Sequence, residues 1–456
     1  MDERERRVAG ERARGMRPEL GARGVRLVAV TWVDNSGITR AKAVPLEKLE
    51  SSAAWGIGAS PCFDTFLFDD TAVTSGAVGD LRLHPDLSRL TVLSGQPGWA
   101  WAPADRYDQS GAAHPGDQRG LARAAVHRLA EHGYTARCAF EVEWVVGLDD
   151  VPDDAFRPAV RGPAYGHARL VSRSDYVRDV AVALAEQGIA VEQIHPEYSP
   201  GQFEVSVAPA DPVQAADDYV LVRETIRAIS ARHGLRVSFS PMVVPGGVGN
   251  GGHVHLSVWH GDVNLCSGGE GPFGLTPTAE SFAAGILGRL PALLAIGAPS
   301  VVSYLRLVPQ HWSGVYAVWG LENREAALRL VAGSPGSRAW AANLEVKCFD
   351  QTANPYLVVA ALIFAGLAGI AGDVRLPEPV DVDPALLDDA ERAHRGIRRL
   401  PVSLRESTDA FQADTMLTGA FGEQLTSAIL AVRRGEIEHF ADADPDRITS
   451  ELRWVH

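Results

Sequence analysis

The chain has 456 residues, enough for two domains, one of them with a large hydrophobic core. Apolar residues make up 46% and charged residues 22%, the ordinary balance of a globular protein, and a formal charge of −14 argues against a nucleic-acid partner, because a polyanion requires a basic face. Cys62, Cys138, Cys266 and Cys348 lie far apart with no C-x-x-C pair, so neither a disulfide framework nor a thiolate metal site is expected.

Residues 1–25 are rich in Arg and Glu and lack the apolar core of an export signal; they read as a mobile arm or an exposed helix, and the protein as cytoplasmic. Residues 26–45 alternate like two strands joined by a hairpin, with Asp34, Asn35 and Gly37 supplying the turn. Gly-, Pro- and Asp-rich connections follow to about Gly116, which predicts a small domain over 26–112. The run 121–134 has helical periodicity ending at Gly133 and opens a larger domain over 113–456. Within it, strand-like runs occupy 136–147, 202–208, 236–243 and 253–259, and helical patterns 174–188, 211–233 and 278–297. They interleave without a clean βαβ repeat, which predicts an α+β core. Gln351–Gly372 carries no charge and, at ~20 residues, has the length of a membrane span. It is rich in Ala and Gly, begins near Asn354-Pro355 and runs into Asp373 rather than a basic flank. A buried core helix, and no membrane partner, is expected.

Four segments place polar residues two apart, or either side of a turn, on probable strands. Side chains alternate across a strand, so residues at i and i+2 share a face. Glu141 and Glu143 lie in CAFEVEWVV, His253 and His255 in GGHVHLSV, and Glu345 and Lys347 in NLEVKCF; Glu197 and Glu204 flank the Pro-Gly turn of HPEYSPGQFEV. One such pair alone reads as a solvated face. Five acids among apolar strand residues need a neutralising partner, however, and lysine occurs only at positions 42, 48 and 347. Carboxylate-dominated ligation with an imidazole suits Mg²⁺ or Mn²⁺ better than Zn²⁺. Arg306, Arg324, Arg329 and Arg338 form a later cationic group, and Arg is the fitting side chain for phosphate and carboxylate. Metal-binding acids followed by arginines point to phosphoryl transfer from a metal-bound nucleotide, with no Walker A loop in the chain.

In order, VDNSGITRAKAVP, FEVEW, HPEYSPGQFEV, GNGGHVHLS, SYLRLVP, ENREAALR and LEVKCFDQTANPYL resemble the type I glutamine synthetase superfamily, from about Val33 to the C-terminal ELRWVH. The resemblance implies a β-grasp N-terminal domain, a larger catalytic domain and a homo-oligomer, commonly a dodecamer of two stacked hexameric rings. It implies two or three Mg²⁺ or Mn²⁺ ions per site, with ATP as co-substrate. By position, Glu143, Glu197 and Glu204 match the ligands of the metal on the acid and amine side, and Glu141, His253 and Glu345 those of the metal on the ATP phosphates. Arg306 matches the arginine on the acid substrate, joined there by Gly249 and Asn250 of the Gly-rich loop. Arg324 and Arg329 match those on the transferred phosphoryl group and nucleotide, and His255 and Ser257 fall at the nucleotide. The implied reaction joins the γ-carboxylate of glutamate, or a related acid, to an amine through an acyl phosphate.

Departures from the pattern bear on the amine. Ammonia-using members carry a Glu soon after the LVP motif, and the ungapped position here is Trp312. An indole cannot take a proton, but it can wall an apolar pocket or stack on a cation. The aspartate that serves ammonium in the N-terminal domain has no clear counterpart; Asp64 is the nearest acid. Lys347 stands where an arginine on the substrate carboxylate is usual, keeping the charge without the bidentate fork. Trp312 and Lys347 together resemble the FluG-type and γ-glutamyl-amine ligase branches. An organic amine is therefore expected in place of ammonia. The alternatives are an ammonia-using synthetase, an inactive member of the fold, against which the intact ligand set argues, and a guanidino phosphotransferase, against which the N-terminal hairpin argues. The 395–404 segment, RGIRRLPVSL, has no tyrosine for adenylylation.

Overall fold

A computed structural model describes residues 1–74, 78–152 and 155–456. Helix α1 (Glu3–Ala22) starts from a reciprocal cap between Asp2 and Glu5. Strands β1 (Leu27–Val33) and β2 (Thr39–Pro45) form the expected hairpin, followed by α2 (Leu49–Trp55), β3 (Ile57–Ala59), β4 (Leu81–Pro85), β5 (Thr91–Val92) and β6 (Trp99–Tyr107). These strands make one sheet in the order β2-β1-β6-β4-β3, with β5 on β6 and β1 parallel to β6. Ala13 and Leu20 of α1 are buried in the same core as Val28, Val30, Leu49 and Ala53. The N-terminal segment is thus a packed helix and not a mobile arm, because its small residues seat against α2 and the sheet.

The second unit begins with α3 (Gln118–Glu131) and the long strand β7 (Thr135–Leu148). After α4 (His167–Ser172) and α5 (Ser174–Glu186) come β8 (Val191–Pro196), β9 (Gln202–Val207), α6 (Pro212–Arg232) and β10 (Leu235–Ser238). The strand expected to reach residue 243 stops at Ser238; beyond it the backbone turns through Pro241, and the carbonyls of Ser240 and Pro241 are taken by Asn250. Then follow β11 (Val254–His260), β12 (Val263–Asn264), α7 (Pro277–Gly297), α8 (Ser303–Arg306), β13 (Tyr316–Leu321), β14 (Ala326–Val331), α9 (Arg338–Ala341), β15 (Asn343–Val346) and α10 (Pro355–Ala371). The chain closes with α11 (Asp389–His394), α12 (Leu404–Ala413), α13 (Thr415–Phe421), α14 (Glu423–His439) and α15 (Pro445–Leu452). The large sheet runs β13-β14-β15-β11-β7-β9-β8, with β10 on β7 and β12 on β11.

The architecture is the expected α+β arrangement, a small N-terminal sheet domain before a large catalytic one. Helices α7 and α10 pack on each other in the main core, α10 almost entirely buried as its uncharged sequence predicts. Helix α7 is long and apolar enough to cross a membrane, but most of it is buried in the fold. The two units interlock through the β1–β2 turn. Asn354 donates to the carbonyls of Val33 and Asp34 at 3.0 and 3.1 Å, and Arg433 to that of Asn35 at 2.7 Å. Gly37, at φ +75°, sits so close to this seam that a Cβ would lie 1.9 Å from the Thr352 carbonyl oxygen.

Candidate active site

Strand pairing decides which acids meet. In the β7–β9 register Glu143 lies opposite Glu204, and in the β8–β9 register His195 lies opposite Glu204. On the other side of β7, β11 lies antiparallel and brings its histidines to Glu141, while β15 adds Glu345. Glu141, Glu143, Glu197, Glu204, His253 and Glu345 all line one cavity of about 690 Å³, together with His195, Gly249, Arg306, Trp312, Arg324, Arg329 and Lys347. A face shared by alternate residues is what the i, i+2 spacing predicts.

The donors fall into two groups. His195, Glu197 and Glu204 offer ligand atoms within 4.8 Å of one another, and so do Glu141, His255 and Glu345. Both histidines of β11 reach Glu141: His253 Nδ1 lies 2.8 Å from Glu141 Oε2 and His255 Nε2 3.0 Å from Oε1. His253 Nδ1 is also 3.5 Å from Glu345 Oε1, while its Nε2 accepts from Arg306 Nη2 at 3.2 Å. That bond fixes the neutral tautomer, with the proton on Nδ1. Burial, then Lys347, pulls the His253 pKa down to about 4. Burial works against His255 as well, but Glu141 outweighs it and lifts the imidazole to about 9.

The carboxylates divide the same way. Burial, then the adjacent Glu204, holds Glu143 well above the usual carboxylate range. Burial raises Glu204 to about 7, and it raises Glu197 too. Glu141 and Glu345 go the other way: burial would raise them, but His255 and His253 draw Glu141 well down and Lys347 holds Glu345 at about 2. Three crowded acids with elevated pKa values form a pocket that a divalent cation relieves. The backbone also leaves room for one. The Gly251 N–H donates to Glu143 Oε2 at 2.8 Å, and a Cβ on Gly251 would lie 2.6 Å from His253 Nε2 and 2.8 Å from Glu143 Oε1. Oxygen-dominated donor sets, with His195 in one group and His253 and His255 beside the other, fit Mg²⁺ or Mn²⁺.

Other expected residues separate. Lys347 is buried in the cavity wall and donates to Glu345 Oε1 at 3.0 Å. Arg306 is buried and also donates to the carbonyls of Phe349 and Lys347, both at 3.2 Å. Arg329 bridges Glu345 and Glu322, and Arg324 lies exposed at the mouth. Asn250, expected at the substrate, has its side chain buried behind the loop, where it accepts from Gln202 at 2.9 Å and donates to Ser240 O at 2.9 Å, while its neighbour Gly249 lines the cavity. His255 and Ser257 line a neighbouring cleft of about 440 Å³ with the exposed Trp340. Asp64 is buried in the small domain against Arg106 and His114.

Several side chains escaped the sequence reading. His195 shares the strand-face signal with Glu197 and could have been found by the same i, i+2 rule. Tyr165 donates to Glu197, and Tyr198 stacks on Trp312. Arg169, with its side chain fully buried, donates to the carbonyls of Glu197, Ser199 and Gln202 and so fixes the loop that carries Glu197 and Tyr198.

A family model described as the glutamine synthetase catalytic domain matches residues 115–450. The chain belongs to the glutamine synthetase family. This glutamine synthetase homologue is 56% identical to the gamma-glutamylpolyamine synthetase GlnA3 of Streptomyces coelicolor, over 98% of this chain and 97% of that one. It is 31% identical to the glutamine synthetase of Methanocaldococcus jannaschii, over 92% and 94% of the two chains. Its structure matches the crystal structure of a novel glutamine synthase homolog with a TM-score of 0.84 at 34% identity, covering 94% of this chain and 98% of that one. It matches a complex of GmaS with ADP with a TM-score of 0.83 at 27% identity, covering 94% and 97%. The homologue is an ATP-dependent carboxylate–amine ligase, and its identity to the relative named a gamma-glutamylpolyamine synthetase, 56%, is far greater than to the one named a glutamine synthetase, 31%.

Proposed function

We propose that the protein joins the γ-carboxylate of glutamate to a primary amino group of a polyamine or related aliphatic amine. The observation that carries the amine is Trp312 stacked on Tyr198 at the mouth of an acid-lined cavity, where a carboxylate serving ammonium is otherwise expected. The 56% identity to a γ-glutamylpolyamine synthetase supports it. A carboxylate is a poor electrophile, so its oxygen first takes the γ-phosphoryl group of ATP, releasing ADP. The amine nitrogen, unprotonated, then attacks the carbonyl carbon, phosphate leaves with the bonding pair, and the nitrogen loses one proton to a cavity carboxylate or water and keeps one N–H in the amide.

Each residue then has a part. Arg306 and Lys347 hold the acid, and Arg324 and Arg329 face the oxygens of the transferring group. His255, Ser257 and Trp340 line the nucleotide cleft, with Trp340 offering a face to the base. Glu143, Glu197, Glu204 and His195 would hold one Mg²⁺ or Mn²⁺, and Glu141, His253, His255 and Glu345 another. Bound there, such ions would offset charge on the phosphoryl oxygens. The acidic cavity draws in a cationic amine. Helix α1 belongs with the small domain, so the division lies near residue 112, and a ring of subunits, a dodecamer by family resemblance, completes the assembly in a cytoplasmic enzyme.

The test is ADP and phosphate release with ATP and Mg²⁺ over a matrix of acids and amines. Glutamate with a long aliphatic di- or polyamine is expected to give the highest kcat/KM. Ammonium as the best nucleophile would overturn the assignment.

A further inference from the structure

The mouth of the cavity is built from two loops whose features the reaction itself does not require. Between α8 and β13, Gln310 (φ +63°), Trp312 (φ +53°) and Gly314 (φ +65°) adopt left-handed backbone conformations within five residues. Two of them are not glycine, and bulky residues hold that conformation only when something outside the loop enforces it. The Glu325 carboxylate does so. It accepts from the Trp312 N–H at 2.9 Å and from the backbone of Gln310, and its own N–H is tied to Asn323 Oδ1 at 3.0 Å. Asn323 in turn donates to the Val380 carbonyl at 2.8 Å, so the anchor is itself anchored.

The turn holds the indole flat against Tyr198, with ring centroids 4.4 Å apart and planes 21° from parallel. Tyr198 follows Glu197 and meets Tyr165 edge-on at 5.7 Å, and Tyr165 stacks on His195 at 5.1 Å. Trp312 and Tyr198 remain 37% and 40% exposed. Two large rings, each more than a third exposed, line the same cavity as Glu197 and Glu204 and add an apolar wall to an anionic lining. That combination suits a cation carried on methylenes: the ammonium end goes to the acids and the alkyl run covers the rings. Ammonium has no alkyl run and gains nothing from the wall.

We propose that Tyr198 and Trp312 together are the specificity-determining wall for the amine, and that Glu325 is the positioning residue that holds Trp312 against Tyr198. The proposal deepens, and rests on, the amine-ligase reading above. The wall selects by the length of the alkyl chain, so ammonium, methylamine and a series of linear diamines are the probes.

The experiment varies each amine at saturating glutamate and ATP, in wild type and in Tyr198→Ala, Trp312→Ala, Glu325→Ala and Glu325→Gln. In wild type kcat/KM rises with chain length. Each aromatic variant flattens that series, losing roughly 10- to 100-fold on the longest diamine, the scale set by a few methylenes in an apolar site. The loss falls on the amine KM rather than on kcat, and a separate ATP titration gives a KM for ATP within about twofold of wild type. Glu325→Ala reproduces the Trp312→Ala profile, and Glu325→Gln restores it, because the amide oxygen still accepts the Trp312 N–H. An unchanged length series in both aromatic variants, equal losses on ammonium and diamines, or a wild-type amine KM in Glu325→Ala would overturn the wall while leaving the ligase reading intact. Wild type that prefers ammonium to every diamine would instead defeat the ligase reading, and the wall with it.

Discussion

Replacing Arg169 by Met tests how the metal-side loop is held. The guanidinium is fully buried and makes no ion pair among the described residues; its donors go to four backbone carbonyls, those of Glu197, Ser199 at 2.6 Å, Gln202 at 2.9 Å and, more weakly, Pro163 at 3.5 Å. A Met fills similar space and removes every donor. The Ser199 carbonyl lies nearer the surface and can turn to water, but those of Glu197 and Gln202 stay dry, at about 1–3 kcal/mol each. Release of the buried guanidinium returns part of that, leaving a net loss of roughly 3 kcal/mol. At about 2 cal/mol/K of unfolding entropy per residue, that is a fall in Tm of about 3 °C for a chain this long. The functional effect is larger than the thermal one. Glu197 and Glu204 flank the released loop, and loss of a group supporting metal ligands lowers metal affinity by about 10- to 100-fold. Mn²⁺ titration of ADP formation, with melting curves in chelator and in Mn²⁺, reads both, and Arg169→Lys should fall between. A Met variant with the wild-type Mn²⁺ midpoint would refute the positioning argument, whatever its Tm.

Glu143→Ala and Glu197→Ala should abolish metal-dependent ADP formation while circular dichroism and elution volume stay at wild type; turnover equal to wild type would remove these acids from the site. Trp312→Glu should raise kcat/KM for ammonium relative to diamines, read in the same ADP assay, and an unchanged preference would take Trp312 out of the amine site. His456 is buried, and burial with the nearby Arg223, Arg227 and Arg433 depresses its pKa to about 3 from an ordinary 6.5. A depressed folded-state value gives stability that is complete above pH 6.5 and lost as pH falls toward 3, about 2 kcal/mol of it between pH 7 and pH 5. His456→Gln should therefore lose less stability over that interval in denaturant titrations; the same pH dependence in both proteins would exclude His456 as the sensor.

The clustering of the acids in one cavity was legible because a strand has a period of two, and ExE, HxH and ExK on consecutive strands of a sheet leave their side chains one face to share. The same rule reaches His195, two before Glu197, once the run is taken back to the start of its strand. Periodicity says nothing about loops, which is why Tyr165, Tyr198 and Glu325 went unseen: each matters through a partner that only the fold supplies. Arg169 belongs to that class, since a buried arginine held by carbonyls has no acid partner to search for in sequence. Asn250 shows the converse. A polar residue in a Gly-rich loop beside ligands looks like a substrate contact, yet Gln202 and Ser240 had prior use of its amide. Of the two readings of the N-terminus the helix is the one present, and its packing was not visible because its core contribution, Ala13 and Leu20, is too sparse to stand out among so many charges.

Selectivity and chemistry occupy different kinds of structure here. Except for Glu197, which directly follows β8, the acids proposed to hold the metal ions sit on β7, β9 and β15, where each backbone is pinned by neighbours and a shift of one residue would turn an acid out of the cavity. The aromatic wall sits on 197–201 and 310–314, loops held by Arg169 and Glu325 from behind. A loop can exchange a carboxylate for an indole without moving a strand, so the amine can change while the phosphoryl-transfer machinery stays where the sheet puts it. The exchange also explains why the anchors are polar and half-buried or deeper. A left-handed Trp312 must be held against its own backbone preference, and the Glu325 side-chain oxygens do so by accepting the N–H groups of Gln310 and Trp312. On this argument the residue that sets amine choice in evolution is as much Glu325 as Trp312, and an indole placed at the same position above a serine at 325 would leave the ring free to turn away from Tyr198.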